Sequence, residues 1–221
     1  MVAKKIKEIL DILPDQVKLC AVSKYHPVEM IQQAYDAGQR IFGESHVQEL
    51  QQKQPILPND IEWHFIGHLQ TNKVKYIAPY ISLIHAVDSS RLLKEINKQA
   101  IRYNRKINCL LQLHVAEEDT KFGFSPEECL EFLRSGEYKE MSGINISGIM
   151  CMATNTDDEN RIRTDFRTAN NFFEQCKKEF PELTNSMQWR SWGMSDDYKI
   201  AIEEGSNIVR IGSYIFGNRT Y

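Results

Sequence analysis

A lysine at the end of an apolar run is the first feature of this sequence that could carry chemistry. Residues 17–24 read Val-Lys-Leu-Cys-Ala-Val-Ser-Lys and predict a buried strand that ends in Lys24. Lysine is among the residues that are least often fully buried. Its ammonium can reach water from a strand end, or its amine can lie in a pocket that lowers its pKa and allows a Schiff base to form. The segment alone favours the exposed ammonium.

Small and hydroxyl-bearing residues follow two strand-like runs near the end of the chain. Residues 191–197 read Ser-Trp-Gly-Met-Ser-Asp-Asp, and Gly212 and Ser213 follow the last run. Small residues let backbone N–H groups approach an anion, and the hydroxyls of Ser191, Ser195 and Ser213 can add hydrogen bonds. The simpler interpretations are a helix N-cap at Ser195 and an ordinary strand exit at Gly212.

Arg210 alternates with Gly212 along the last strand-like run, so the two residues should face the same side of the strand. An arginine inside a barrel needs a partner. One interpretation is a buried ion pair with a carboxylate such as Glu44 or Asp88. The other is a hydrogen bond to the ring nitrogen of a cofactor. Because guanidinium stays charged at neutral pH, it would keep a pyridine nitrogen unprotonated and make the ring a weaker electron sink.

The elements that must position these residues alternate between strand and helix along nearly the whole chain. Strands are predicted at residues 17–24, 40–44, 62–67, 83–87, 107–115, 146–152, 187–192 and 207–212. Helical patterns separate them, and residues 1–13 form an extra amphipathic helix. Eight such units predict one α/β domain over residues 1–221, a (β/α)8 TIM barrel. A doubly wound sheet is the competing fold, but no GxGxxG motif follows the first strand.

The barrel prediction brings the separate motifs to one place. In such barrels the active site lies at the carboxyl ends of the strands, and phosphate often binds to the loops after strands seven and eight. Strands one and eight are neighbours in a closed barrel. Lys24 should therefore face the predicted phosphate-binding loops across the mouth. In this context, an amine held in a pocket becomes the better interpretation of Lys24 than an ammonium exposed to water.

The composition excludes several classes of protein. A net charge of −3 leaves no basic excess for nucleic acid. There is no apolar run of membrane-spanning length and no secretory signal pattern, so the protein is expected in the cytoplasm, away from membranes. The 5 cysteines, none at CxxC spacing, fit reduced thiols, and the 6 histidines form no metal-binding motif.

Taken together, the motifs resemble those of the pyridoxal phosphate homeostasis proteins, a family that binds pyridoxal 5′-phosphate (PLP). The resemblance covers nearly the whole chain. The matching segments are Ala21-Val22-Ser23-Lys24, Phe42-Gly43-Glu44, Gln48-Glu49, Trp63-His64-Phe65-Ile66-Gly67, Leu69-Gln70-Thr71-Asn72-Lys73, Gly193-Met194-Ser195-Asp196-Asp197, Val209-Arg210-Ile211-Gly212-Ser213 and Ile215-Phe216-Gly217.

Four positions depart from the family pattern. Ser45 and His46 stand where the family commonly has Asn-Tyr, so a polar contact to the cofactor is expected to be weaker there or to run through water. His68 stands where the family often has proline, which predicts a less rigid loop. Ser213 replaces a frequent threonine and keeps the hydroxyl.

The resemblance implies a barrel similar to the N-terminal domain of alanine racemase. It implies that Lys24 holds PLP as a covalent aldimine and that Arg210 approaches the ring nitrogen. No residue is expected to have a catalytic role. The residues expected to bind the cofactor are Lys24, Ser191, Met194, Ser195, Arg210, Gly212 and Ser213.

Three functions remain open at this point. The first is a monomeric PLP carrier that maintains the cellular PLP (vitamin B6) pool, with apo PLP-dependent enzymes as recipients. The second is an amino-acid racemase, which needs an acid/base group on each face of the substrate carbon. In racemases the second group comes from another domain, and this chain ends at Tyr221, soon after the eighth strand. The third is a Schiff-base aldolase that uses no PLP.

Overall fold

Eight parallel strands form a closed barrel in the computed structural model, which describes residues 1–117 and 122–217. The strands follow one another around the barrel in chain order, and the last pairs with the first. They are β1 (Lys18–Val22), β2 (Ile41–Glu44), β3 (Glu62–Phe65), β4 (Leu83–Val87), β5 (Ile107–Gln112), β6 (Ile144–Met150), β7 (Trp189–Ser191) and β8 (Ile208–Ile211). The predicted fold class and all eight predicted strands are confirmed.

Helices follow the strands and surround the barrel, and one further helix precedes β1. They are α1 (Val2–Ile12), α2 (Val28–Asp36), α3 (Val47–Lys53), α4 (Val74–Ile77), α5 (Ser90–Arg102), α6 (Pro126–Ser135), α7 (Glu159–Glu179), α8 (Tyr198–Glu203) and α9 (Ser213–Phe216). The extra amphipathic helix at the start is thereby confirmed. No helix within the two described ranges is long and apolar enough to cross a membrane.

Local sequence determines where several helices begin. Ser125 and Glu128 form a capping box at α6, in which the Ser125 hydroxyl accepts from the Glu128 N–H and the Glu128 carboxylate accepts from the Ser125 N–H. Pro126 occupies the first turn, where its missing N–H costs nothing. Either Asp88 or Ser89 could have capped α5, and the structure selects Ser89, whose hydroxyl accepts from the Leu92 N–H.

Two apolar layers hold the barrel together. The larger lies between the strands and the helices. The smaller fills the barrel interior and includes Cys20, Leu83, Leu110, Met150 and Ile208. The five cysteines are all buried and free. Side chains of this size fill a barrel of eight strands, so the interior is a packed core that leaves room for a ligand only near its ends.

Some strands are shorter than the sequence predicts, and side chains explain the difference. In β7, the N–H groups of Arg190 and Trp192 donate to the side chains of Asn207 and Ser206. These bonds replace part of the backbone ladder, and the ladder between β7 and β8 contains one residue pair, Ser191 with Ile208. The side chains of Asn207 and Ser206 thus help to join β7 to β8, where the backbone pairing is shortest.

Candidate functional site

A cavity of about 270 Å³ opens at the carboxyl ends of the strands, where the barrel fold predicts the site. Its walls combine apolar side chains with a few polar groups that converge from different strands. They are Val22, Lys24, Ser45, Ile66, Met150, Met152, Met194, Ser195, Asp196, Arg210, Gly212 and Ser213. Six of the seven predicted cofactor-binding residues line this cavity, and Ser191 is the exception.

A larger cavity lies at the opposite end of the barrel. Its volume is about 570 Å³, and its lining includes the first residues of several strands, among them Lys18, Ile41 and Glu62. Size alone would select this cavity. The smaller one is the better candidate because a lysine, an arginine and two serine hydroxyls converge there at the end of the barrel that carries active sites.

Lys24 lies in a turn just beyond β1 rather than at the end of the strand. The strand ends at Val22 because the Ser23 carbonyl leaves the ladder and accepts from the Lys53 ammonium, at 2.8 Å, and from the His26 N–H, at 3.2 Å. Lys24 is half-buried and reaches the cavity wall. The prediction of a lysine at the mouth is therefore right, although the strand is shorter.

The loops after β7 and β8 are joined by two serine hydroxyls. Ser213 Oγ donates to Ser195 Oγ at 2.9 Å, and the Gly212 N–H reaches the same oxygen at 3.4 Å. A Cβ at Gly212 would lie 3.1 Å from both the Cβ and the carbonyl oxygen of Val22, which is tighter than ordinary contact. Glycine therefore lets the end of β8 approach β1 at the cavity.

The loop after β7 turns through Gly193, whose φ of +92° suits glycine. Ser195 is not the N-cap of the next helix, contrary to one interpretation of the sequence; Asp197 occupies that position. The Asp197 carboxylate accepts from the Met194 N–H at 2.5 Å. This bond occupies the Met194 N–H, which is therefore not available to a ligand. Ser195 lines the cavity.

Arg210 is buried and bonded to neutral groups. Its Nη1 donates to the carbonyl and the hydroxyl of Ser191, both at 2.7 Å, and its Nη2 donates to the Cys151 carbonyl at 3.0 Å. The proposed ion pair with Glu44 or Asp88 is wrong, because these bonds hold the guanidinium instead. Burial lowers the pKa of Arg210, although a guanidinium remains protonated in proteins.

Ser191 is fully buried beneath Arg210 and does not reach the cavity wall. Its hydroxyl accepts from Arg210 and lies 2.9 Å from Nδ1 of His85. The placement of Ser191 in a phosphate-binding loop is therefore not supported by the geometry. The Ser191 hydroxyl lies one layer deeper in the barrel than the cavity, where it positions the Arg210 guanidinium.

Two buried histidines extend this chain of hydrogen bonds away from the cavity. His85 Nε2 lies 2.9 Å from Nδ1 of His64. The guanidinium donates to the Ser191 hydroxyl, and His85 links that hydroxyl to His64 through its two ring nitrogens. Burial lowers the pKa of His64 to about 3 and that of His85 well below its usual value, so both rings are neutral.

The sequence motifs did not reveal this pair or a second buried cluster. In that cluster, the Lys53 ammonium contacts Glu44 at 2.8 Å and Glu49 at 2.5 Å. The four-residue spacing of Glu49 and Lys53 on one helix was the available signal. Nothing in the sequence indicated that the ammonium is buried.

The four positions that depart from the family pattern lie around the mouth, and Ser213 is one of the cavity-lining residues. Ser45 lines the cavity, and His46 Nε2 lies 3.4 Å from the Tyr25 hydroxyl. His68 is held in place, because its Nδ1 lies 3.0 Å from Asp88 and its ring stacks on Phe122 at 4.1 Å. Within residues 1–117 and 122–217, no group of three or more His, Cys, Asp or Glu side chains is arranged to hold a metal ion.

The fold and the site define a class, the barrels represented by the N-terminal domain of alanine racemase. The sequence model of that family, described as "Alanine racemase, N-terminal domain", matches residues 2–220. An alanine racemase structure from Clostridium difficile has a TM-score of 0.76, at 16% identity, over 100% of this chain and 56% of that chain. A likeness at this identity concerns the fold alone.

More similar relatives identify the branch within this class. A "Pyridoxal phosphate homeostasis protein" of Pasteurella multocida is 39% identical over 93% of this chain and 88% of its own length. One of Schizosaccharomyces pombe is 34% identical over 97% and 93%. The structure of PipY from Synechococcus elongatus with PLP bound has a TM-score of 0.89 at 32% identity, covering 98% of this chain and 100% of PipY. The chain belongs to the pyridoxal phosphate homeostasis protein family.

Proposed function

We propose that this chain binds PLP in the 270 Å³ cavity and takes part in the intracellular homeostasis of PLP. One observation carries the proposal. Lys24, Arg210 and the joined hydroxyls of Ser195 and Ser213 line one cavity at the carboxyl end of the barrel. These groups match an aldehyde, a pyridine ring nitrogen and a phosphate, respectively. PipY, a relative similar over its whole length, has been solved with PLP bound.

The covalent part of the proposal concerns the ε-amine of Lys24. Lys24 would hold PLP through a C=N bond between its ε-nitrogen and the aldehyde carbon, and the two amine hydrogens would leave with the carbonyl oxygen as water. Atoms and charge balance without an oxidant or a metal. Lys24 is half-buried and lines the cavity, so cofactor from solution can reach this residue.

The phosphate is assigned to the loops after β7 and β8. The first N–H groups of α9 follow Gly212 and, like those of any helix start, have no intrahelical acceptor. The hydroxyls of Ser195 and Ser213 lie beside them. Asp196 also lines the cavity, so its carboxylate must point away from the phosphate for this assignment to hold.

The proposal includes a carrier role without strong catalysis, in the cytoplasm, as a monomer that passes PLP to apo enzymes. Arg210 supports the carrier role. A guanidinium beside the ring nitrogen stabilises the unprotonated pyridine, which is a weaker electron sink than one that faces a carboxylate. The likeness to PipY covers 100% of the PipY chain, whereas the likeness to alanine racemase covers 56% of the racemase chain at 16% identity.

The test is borohydride reduction after incubation with PLP, followed by peptide mass mapping. We expect the pyridoxyl group on Lys24 and a visible absorbance band that disappears on reduction. Lys24→Ala should remove the label while retaining weaker, non-covalent binding through the phosphate. Lys18→Ala is the matched control, because Lys18 is an exposed lysine at the opposite end of the same strand.

Two results would contradict the proposal. A label on another lysine, or none on the wild-type protein, would remove the covalent assignment. Rapid exchange of the alanine α-proton with deuterium, accompanied by loss of chirality and abolished by Lys24→Ala, would replace the carrier with a racemase.

A further inference from the structure

The turn that carries Lys24 has an unusual backbone. Tyr25 has a φ of +65°, in the left-handed region that residues other than glycine adopt rarely. Ser23, on the other side of Lys24, is fully buried, and its N–H donates to the Gly43 carbonyl at 3.0 Å. A backbone of this kind persists only where surrounding groups hold it in place.

A buried lysine supplies one of these groups. Lys53 is the last residue of α3 and is 5% exposed. Its ammonium donates to the Ser23 carbonyl at 2.8 Å, to Glu44 Oε1 at 2.8 Å and to Glu49 Oε1 at 2.5 Å. An ammonium has three hydrogens, so all three have acceptors, and one of them is the carbonyl just before Lys24.

The two glutamates complete the arrangement from the other sides. Glu49 Oε1 also accepts from the Tyr25 N–H at 2.6 Å, so the peptide groups on both sides of Lys24 are held by one ion cluster. Glu44 is fully buried, and its Oε1 accepts from the Ser23 hydroxyl at 2.6 Å. Its Oε2 has no hydrogen-bond partner among the residues that the structure describes.

Stability does not explain this cluster. Removing two carboxylates and an ammonium from water is costly, and apolar residues of the same volume are often as stable or more stable. Burial raises the pKa of Glu44 to about 7, while the nearby Lys53 charge opposes that rise. Burying the cluster therefore costs free energy. The cluster binds three groups next to Lys24, which are the Ser23 carbonyl, the Ser23 hydroxyl and the Tyr25 N–H.

We propose that Lys53, Glu44 and Glu49 form a clamp that positions Lys24 for reaction with the PLP aldehyde. Lys53 is the central positioning residue, because its ammonium contacts both carboxylates and the Ser23 carbonyl. The inference rests on the proposed function, since it assigns the clamp to the covalent step. Phosphate binding is assigned to the loops after β7 and β8, which the clamp residues do not form, and it should not depend on the clamp.

The test compares imine formation with non-covalent binding. Lys53→Met keeps the length of the side chain and removes the three hydrogen bonds. We expect the rate of appearance of the imine absorbance to fall by about ten- to a hundredfold, the size expected when a reacting group is misplaced by about 1 Å. In the Lys24→Ala background, the same change should leave the Kd for PLP within about twofold, because that constant reports non-covalent contacts made by residues outside the clamp. Lys94→Met, which removes a surface ion pair with Glu137, is the matched control.

A second pair of variants keeps the test decisive if Lys53→Met does not fold. Glu49→Ala removes the acceptor of the Tyr25 N–H, whereas Glu49→Gln keeps an oxygen in that place. We expect Glu49→Ala to slow imine formation and Glu49→Gln to restore most of the rate. Equal rates for wild type and Glu49→Ala would overturn the clamp.

The possible failures are distinguishable. No imine on the wild-type protein would refute the proposed function itself. A wild-type imine with an unchanged rate in Lys53→Met would refute the clamp alone. A parallel loss of rate and of affinity in the Lys24→Ala background would show that the cluster supports the whole cavity and would also overturn the positioning role.

Discussion

The hydrogen bonds between the two phosphate-binding loops predict an asymmetry between their serines. Ser213 Oγ donates to Ser195 Oγ, and the Gly212 N–H donates to the same oxygen. Ser195 therefore keeps its own hydrogen for an anion, while the Ser213 hydrogen is occupied. Removing Ser195 should cost more than removing Ser213.

The magnitudes follow from the kind of bond that each change removes. A hydrogen bond to a charged group contributes about 1.5–3 kcal/mol, so Ser195→Ala should weaken PLP binding by roughly ten- to 150-fold. A neutral bond contributes about 0.5–1.5 kcal/mol, so Ser213→Ala should weaken binding by roughly two- to tenfold. The double change should cost little more than Ser195→Ala alone, because the Ser213 hydroxyl acts through Ser195.

Equilibrium dialysis with PLP in the Lys24→Ala background isolates these contacts from the covalent bond. Ser186→Ala is the control, since Ser186 lies before β7 and its hydroxyl donates locally to the Leu183 carbonyl at 3.1 Å. Two outcomes would refute this prediction. If the Kd for PLP of every variant is within twofold of the parent, the hydroxyls only connect the two loops. If the losses of binding free energy are fully additive, both serines contact the phosphate independently.

Two further predictions concern stability. The pKa of His64 is lowered to about 3 in the folded protein against an ordinary 6.5, so the unfolded chain binds the extra proton as the pH falls below 6.5 and stability is lost between that pH and about 3. For His64 alone the free energy of unfolding should fall by roughly 2 kcal/mol between pH 7 and pH 5. Urea denaturation at both pH values should show a smaller fall in His64→Gln than in the control His46→Gln, where the replaced ring is exposed. Equal falls in the two variants would contradict the lowered pKa of His64. Ser125→Ala removes the capping box of α6 and should cost about 1 kcal/mol, measurable as a lower urea midpoint, whereas a midpoint equal to that of wild type would show that the cap is dispensable.

The barrel itself was predictable because its signals are local and repeated. Each apolar run is followed by a helical pattern, and eight repeats leave few alternatives. Once the fold is assumed, the carboxyl ends of the strands converge, so Lys24, Arg210 and Gly212 could be placed together without any contact being known. The cavity confirms that convergence.

The misplacement of Ser191 shows what such reasoning misses. The side that a strand residue faces follows from alternation, but its depth in the barrel follows from the register between strands. Ser191 pairs with Ile208, and Arg210 lies two residues further along β8. Ser191 is therefore one layer below the mouth, where its hydroxyl meets Arg210 and His85 instead of the cavity.

The buried clusters were unpredictable for a related reason. Lys53 and Glu49 have the spacing of an ordinary surface pair on a helix. Only the packing of α3 against β1 and β2 shows that their partner is Glu44 and that the ammonium reaches the Ser23 carbonyl. Polar networks of this kind depend on three-dimensional distances of a few tenths of an ångström, which composition and periodicity do not contain.

The neutral partners of Arg210 bear directly on what the cavity can bind. A hydrogen-bonded carboxylate, such as Glu44 or Asp88 in one of the two interpretations of the sequence, would have cancelled most of the guanidinium charge. The observed acceptors are two carbonyls and a hydroxyl, which bond three of the five guanidinium N–H groups without supplying a negative charge. The nearby Asp197 carboxylate attracts the guanidinium and offsets part of its charge, and the remaining positive charge acts on a neighbouring ligand in this buried site. Such a site favours a ligand that presents a lone pair, such as an unprotonated pyridine nitrogen, and disfavours the protonated ring on which strong carbanion stabilisation depends.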